Sequence, residues 1–209
     1  MADLIAGPDH RGEGDRALVV IDVQPTFCEG GELPVVGGNA VAAKIAEFMR
    51  ARHDDYALIV TTQDWHVDPG DHFADQPDYV DTWPPHGLAG TANAQLHPAV
   101  AAASAAAPRV VHVRKGEHKA AYSGFEGVDP DGRDLRQLLS DAGVTTVDVC
   151  GIAESHCVKA TALDAARLGY RTAVFGDLTV PVTEELGVAA RHEMAAAGVS
   201  SKRSEQRGM

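Results

Sequence analysis

The amino-acid sequence predicts an α/β protein with three α-β-α layers around a mostly parallel sheet of five to six strands. Short apolar runs rich in β-branched residues recur along the chain, and segments with helical spacing separate them. This alternation is typical of repeated strand–helix–strand units. The first run, ALVVIDV at 17–23, is continuous rather than alternating, as expected for a parallel strand that helices cover on both faces.

The apolar runs and helical segments follow in regular order. Strands are predicted at 17–23, 56–62, 109–115, 144–151 and 170–177, with a short sixth strand at 199–200. Helices are predicted at 38–52, 134–143, 155–169 and 183–198. The first helix places Val41, Ile45 and Phe48 on one face. The Ala-rich stretch 98–108 fits a short helix and a low-complexity loop equally well.

Length and composition bound the kind of protein. A chain of 209 residues predicts one domain, which we place at 17–200 between flexible tails at 1–16 and 201–209. The net charge of −12 argues against nucleic acid and anionic membranes as partners. The N-terminus lacks the pattern of a signal peptide, and the count of three cysteines is odd. Both observations favour a cytoplasmic protein with reduced thiols. A monomer and a homo-oligomer both remain open.

Three reactive side chains follow predicted strands. Asp22, Lys115 and Cys157 come near the ends of the first, third and fourth strands, and parallel strands end at one edge of the sheet. A helix N-terminus and a nearby ammonium favour a thiolate at Cys157. Asp22 is then a candidate general base, and the N–H groups of Ala153 and Cys157 are candidates for an oxyanion hole. Each residue alone is more typical of a structural role, so the prediction rests on their convergence.

A second cluster lies in the long stretch after the second strand, which is rich in Asp, His, Pro and Gly. Asp64 and His66 are two residues apart at a strand end and point the same way, and the turn 68–72 can bring His72 to the same centre. Together with His86 they suit one divalent ion such as zinc, iron or manganese. The alternative is a polar loop without a metal.

Three aromatic residues, Phe27, Trp83 and Tyr122, fall in predicted loops. They can form the walls of a pocket for a flat ring. They can equally be loop anchors that pack on the core.

The motifs together resemble a known family over about residues 17–197. The matching stretches are IDVQPTFCEGGEL, QDWHVDPGDHF, PDYVDTWPPHGLAGT, YSGFEGVD and GIAESHCVKATALDA. The chain resembles the nicotinamidases and pyrazinamidases of the isochorismatase-like cysteine hydrolases. That resemblance implies the isochorismatase-like hydrolase fold, a catalytic set of Asp22, Lys115 and Cys157, and a role in NAD salvage.

The resemblance also implies the rest of the site. The metal ligands fall on Asp64, His66, His72 and His86. A cis peptide falls at Ile152–Ala153, and the substrate-binding residues are Phe27, Trp83, Tyr122, Ile152 and His156. The implied reaction is hydrolysis of nicotinamide to nicotinate and ammonia through a thioester, and pyrazinamide should also react. Glu154 and Ser155 depart from the residues that relatives often carry beside the nucleophile.

Other functions remain as alternatives. A related small-amide hydrolase, such as an N-carbamoylsarcosine amidohydrolase, would keep the Cys-Asp-Lys set without needing the metal. A non-catalytic metal- or ligand-binding protein on the same fold is a further alternative. Isochorismatase proper typically lacks the nucleophilic cysteine, so Cys157 argues against it.

Overall fold

The structure is a computed structural model that describes residues 15–205. Its strands are β1 (Asp15–Ile21), β2 (Leu58–Asp64), β3 (Val110–Lys115), β4 (Val144–Ile152), β5 (Arg171–Val180) and β6 (Ser200–Lys202). Its helices are α1 (Gly38–Arg52), α2 (Pro98–Ala106), α3 (Leu135–Asp141), α4 (Lys159–Arg167) and α5 (Glu184–Ala196). Within residues 15–205 no helix combines the length and apolarity that crossing a membrane requires.

The six strands form one sheet in the order β3-β2-β1-β4-β5-β6, and every neighbouring pair is parallel. β1 is central, with Val19 opposite Val60 of β2 and Val149 of β4. The strand order reverses between β1 and β4. A crevice therefore opens at the carboxyl ends of these two strands, where open parallel sheets bind their ligands.

Helices cover both faces of the sheet, which confirms the predicted three-layer α/β fold. Leu18 and Val20 of β1 belong to the core beneath α1 and α2, whereas Ala17 and Val19 belong to the core beneath α3, α4 and α5. All four side chains are fully buried. The apolar run in β1 is uninterrupted because helices cover both faces of the strand.

Two strands extend beyond the predicted domain limits. Asp15 pairs with Val144 at the start of the sheet, and Lys202 pairs with Phe175 at its edge. Backbone pairing at these positions needs no apolar run, so the apolar pattern of the sequence does not mark them. Of the tails predicted at 1–16 and 201–209, the parts 1–14 and 206–209 lie outside the described residues.

The Ala-rich stretch forms a helix, α2. Pro98 takes the first helical position, and His97 caps the helix by accepting a hydrogen bond from the N–H of Ala99. Val100 and Ala103 are buried against α1. The stretch is helical because a cap and a small buried face act together.

The helix predicted at 155–169 differs at its beginning. Residues Glu154–Val158 form a π-helical turn, and the regular helix α4 follows it. Such turns inside helical segments are frequently found at functional sites. Cys157 therefore lies in an irregular turn that directly follows β4.

Candidate active site

The three predicted catalytic residues meet at the crevice. Asp22 directly follows β1, Lys115 is the last residue of β3, and Cys157 lies in the turn after β4. The Lys115 Nζ is 3.0 Å from Asp22 Oδ2 and 3.7 Å from Cys157 Sγ. The sulfur and a carboxylate oxygen of Asp22 lie within 4.8 Å of each other. Residues far apart in sequence therefore form one buried acid–ammonium–thiol set.

The neighbouring strand fixes the position of Asp22. Its backbone has a φ of 46°, in the left-handed region that few residues other than glycine adopt. Its N–H donates to the carbonyl of Thr62, and the Thr62 hydroxyl donates to Asp22 Oδ1 at 2.6 Å. These contacts hold one carboxylate oxygen, so the other faces Lys115.

Lys115 connects the catalytic residues to the predicted metal ligands. Its side chain is fully buried, and its ammonium pairs with Asp64 as well as with Asp22. It also donates to the carbonyl of Ala121 at 2.9 Å. Burial acts to lower the pKa of Lys115, but the two carboxylates outweigh burial and hold that pKa well above its ordinary value. The ammonium is thus a permanent charge between two acids.

Burial and the Lys115 ammonium act in opposite directions on the Cys157 thiol. Burial raises the pKa of the Cys157 thiol well above its ordinary value, and the Lys115 ammonium offsets only part of the rise. Burial also raises the pKa of the Asp22 carboxyl. The sequence predicted the nearby Lys115 ammonium, which favours a Cys157 thiolate. It did not predict how deeply Cys157 is buried, and burial disfavours the thiolate.

The predicted metal ligands also lie together. His66, His72 and His86 each place one ring nitrogen within 4.8 Å of the other two. Asp64 Oδ2 is 3.7 Å from His66 Nε2 and 3.8 Å from His86 Nε2. All four side chains are buried.

Backbone carbonyls orient two of these imidazoles. His66 Nδ1 donates to the carbonyl of Gly116 at 2.6 Å, and His86 Nδ1 donates to that of Pro84 at 2.8 Å. Both Nε2 atoms are therefore unprotonated lone-pair donors in the neutral ring, as a metal ligand requires. His66 Nε2 is buried and finds no hydrogen-bond partner within residues 15–205. The residues present therefore fit a divalent metal ion.

A buried glutamine supports this cluster, and sequence reasoning missed it. Gln24 donates from Nε2 to the carbonyls of Asp64 and Ala94 at 2.9 and 2.8 Å, and its Oε1 accepts the N–H of Asp64 at 2.9 Å. It thereby binds both the N–H and the carbonyl of Asp64. A polar amide directly after the first apolar run, two residues from Asp22, was the available signal.

A cavity opens beside the sulfur, and the empty space in it and at its mouth, open solvent included, is about 460 Å³. The predicted substrate-binding residues line it, namely Phe27, Trp83, Tyr122, Ile152 and His156. Ala153 and Cys157, predicted to supply the oxyanion N–H groups, line it as well. Sequence reasoning missed the aliphatic wall formed by Leu33, Val35 and Val182.

The aromatic residues of the cavity contact one another. Trp83 Nε1 donates to the Tyr122 hydroxyl at 2.9 Å, and the Trp83 ring packs edge-on to His156 at 5.4 Å. The Ser155 hydroxyl lies 2.9 Å from His156 Nδ1. The Ile152–Ala153 peptide bond is cis, as the resemblance implies. Trp83, Tyr122 and His156 thus form one connected aromatic wall of the cavity.

The other two cysteines stand apart from this chemistry. Cys28 and Cys150 are free and buried. Burial raises the pKa of Cys28 to about 11 and that of Cys150 further. Both therefore remain protonated thiols, and Cys150 is a core residue as predicted.

Comparison with known proteins agrees with this geometry. The isochorismatase domain matches residues 16–205. The nicotinamidase/pyrazinamidase of Mycobacterium tuberculosis is 48% identical over 184 residues, which cover 88% of this chain and 96% of that protein.

Two solved structures share the fold. The crystal structure of the Pyrococcus horikoshii pyrazinamidase in complex with zinc is 33% identical, with a TM-score of 0.72 over 90% of this chain and 99% of that one. Yeast nicotinamidase bound to the inhibitor nicotinaldehyde is 26% identical, with a TM-score of 0.77 over 90% of this chain and 99% of that one. The chain therefore belongs to the isochorismatase-domain family, and within it to the nicotinamidase-type hydrolases.

Proposed function

We propose that this protein hydrolyses nicotinamide to nicotinate and ammonia, with Cys157 as the nucleophile, and that it also hydrolyses pyrazinamide. The observation that carries the proposal is the position of Lys115. Its ammonium contacts Asp22, Asp64 and the Cys157 sulfur. Lys115 therefore joins the proposed catalytic residues to the proposed metal ligands, beside a cavity lined by aromatic side chains. The related M. tuberculosis enzyme supports the choice of substrate.

The first half of the proposed reaction forms a thioester. Asp22 accepts the Cys157 thiol proton as the sulfur attacks the carboxamide carbon. The N–H groups of Ala153 and Cys157 stabilise the developing oxyanion. Asp22 then returns the proton to the amide nitrogen, the carbon–nitrogen bond breaks, and ammonia leaves. Lys115 holds the Asp22 carboxylate toward the sulfur throughout.

The second half restores the enzyme. A water molecule attacks the thioester carbon and gives one proton to Asp22, the carbon–sulfur bond breaks, and Asp22 protonates the leaving sulfur. Nicotinate departs with the thiol restored. A divalent ion held by Asp64 and the three histidines would supply a Lewis-acidic anchor for the pyridine nitrogen.

An ammonia-release assay tests the proposal. We expect release from nicotinamide and from pyrazinamide, its loss in Cys157→Ala, and a fall after chelator treatment that added zinc, iron or manganese restores. Release from N-carbamoylsarcosine alone, with no response to chelator, would favour the related small-amide hydrolase. No release from any of these amides would refute the proposed activity.

A further inference from the structure

A second ion pair, with a buried carboxylate and a partly exposed guanidinium, lies behind the turn that carries Cys157. The Glu154 side chain is 3% exposed, and its Oε2 accepts a hydrogen bond from Arg191 Nη1 at 2.7 Å. Arg191 lies on α5 and also pairs with Glu184 in the first turn of that helix. One guanidinium therefore ties the start of the π-helical turn to α5. None of these three residues takes part in the proposed chemical steps.

The α5 helix is shaped to receive the Glu154 carboxylate. A Cβ added at Gly187 would lie 3.0 Å from Glu154 Oε2 and 2.8 Å from the Pro181 side chain. Glu184, Gly187 and Arg191 are spaced by three and four residues, so they share one face of the helix. Arg191 binds the Glu154 carboxylate, Glu184 binds Arg191, and Gly187 leaves the space that the carboxylate occupies.

The geometry points to Glu154 and Arg191 as positioning residues for the nucleophile. Glu154 begins the turn directly after Ala153, and Cys157 lies in the same turn three residues later. Both Ala153 and Cys157 are the candidates for the oxyanion N–H groups. The Glu154–Arg191 pair holds the turn against α5. Phe27, Trp83 and Tyr122, which line the cavity, belong to other segments of the chain. Displacement of the turn should therefore affect the chemical step more than substrate binding.

This inference rests on the proposed function for its kinetic test, and a second test does not need it. The variants are Glu154→Gln, Arg191→Met and the double variant. The matched control is Glu193→Gln, which breaks the more exposed pair between Glu193 of α5 and Lys159, the first residue of α4. Arg191→Met alone leaves a buried carboxylate without its partner and is expected to be the least stable. The double variant removes that charge.

We expect Arg191→Met and the double variant to lower kcat by about ten- to a hundredfold, with KM within about twofold of wild type, because a small misplacement of reacting groups is costly. Glu154→Gln can still accept a hydrogen bond, so a smaller fall is expected. The control should match wild type. If the pair only stabilises the fold, the double variant will recover kcat together with its melting temperature, and that result would overturn the inference.

Alkylation of Cys157 by iodoacetamide, followed by peptide mass, gives the second readout. We expect a slower reaction in the double variant, because the sulfur moves away from Asp22, and an unchanged rate in the control. A rate in the double variant equal to or above wild type contradicts the inference. If wild type releases no ammonia, the proposed function fails and the alkylation rates still decide on positioning. If Arg191→Met does not fold, the other two variants carry both tests.

Discussion

A single methyl group at Gly116 should displace His66, a proposed metal ligand. Gly116 has a φ of +80°, and a Cβ there would lie 2.6 Å from His66 Cε1. Carbon atoms in contact need about 3.5 Å, so the imidazole must shift by about 1 Å. The Gly116 carbonyl also accepts the hydrogen bond that orients the ring. Gly116→Ala therefore disturbs the support of His66 in two ways.

Gly132 provides a matched control for the backbone effect. Its φ is +81°, and a Cβ there meets nothing within 4 Å. An alanine in this conformation costs about 1–2 kcal/mol at either position. In urea denaturation of the metal-free protein, Gly132→Ala should lower the free energy of unfolding by about 1–2 kcal/mol. Gly116→Ala should lose more, because the clash adds to the backbone strain.

Metal affinity separates the two variants. Loss of a group that orients a ligand weakens metal binding by about 10–100-fold. We expect this fall for Gly116→Ala and wild-type affinity for Gly132→Ala, measured by titrating metal-free protein with zinc against a competing chelator. Equal zinc affinity in Gly116→Ala and wild type would refute the assignment of His66 as a ligand supported by this carbonyl.

Three further variants test other parts of the site. Asp22→Asn should lower kcat by about 10²–10⁴-fold with the fold intact, and wild-type turnover would exclude it as the base. His86→Ala should reduce metal content by elemental analysis, whereas the exposed His118→Ala should not; unchanged metal in His86→Ala would remove it from the ligand set. Trp83→Phe deletes the hydrogen bond to Tyr122 and should raise KM by about two- to tenfold with little change in kcat. A KM equal to that of wild type would show that this bond does not shape the cavity.

The sheet could be predicted from the sequence because its cause is local. Parallel strands buried on both faces favour continuous apolar runs, and β1 has one at residues 17–21. Parallel topology then placed Asp22 and Cys157 at one edge without any knowledge of distances. Strand ends such as Asp15 and Lys202 were missed because backbone pairing alone determines them.

The connections within the site could not be predicted in the same way. The contact of Lys115 with Asp64 arises because β2 and β3 pair with these two residues in register, which only the assembled sheet shows. The raised pKa of the Cys157 thiol comes from burial by several segments together. The pair between Glu154 and Arg191 joins a turn to a helix from another part of the chain, and the sequence marks Glu154 as unusual without indicating its partner.

Trapping the intermediate tests the central claim most directly. Enzyme mixed with nicotinamide is quenched in acid within the first turnover, and its peptides are weighed by mass spectrometry. The account predicts a nicotinoyl group on the peptide with Cys157 and none on those with Cys28 or Cys150. Ammonia release without any adduct on Cys157, or an adduct on another cysteine, would contradict it.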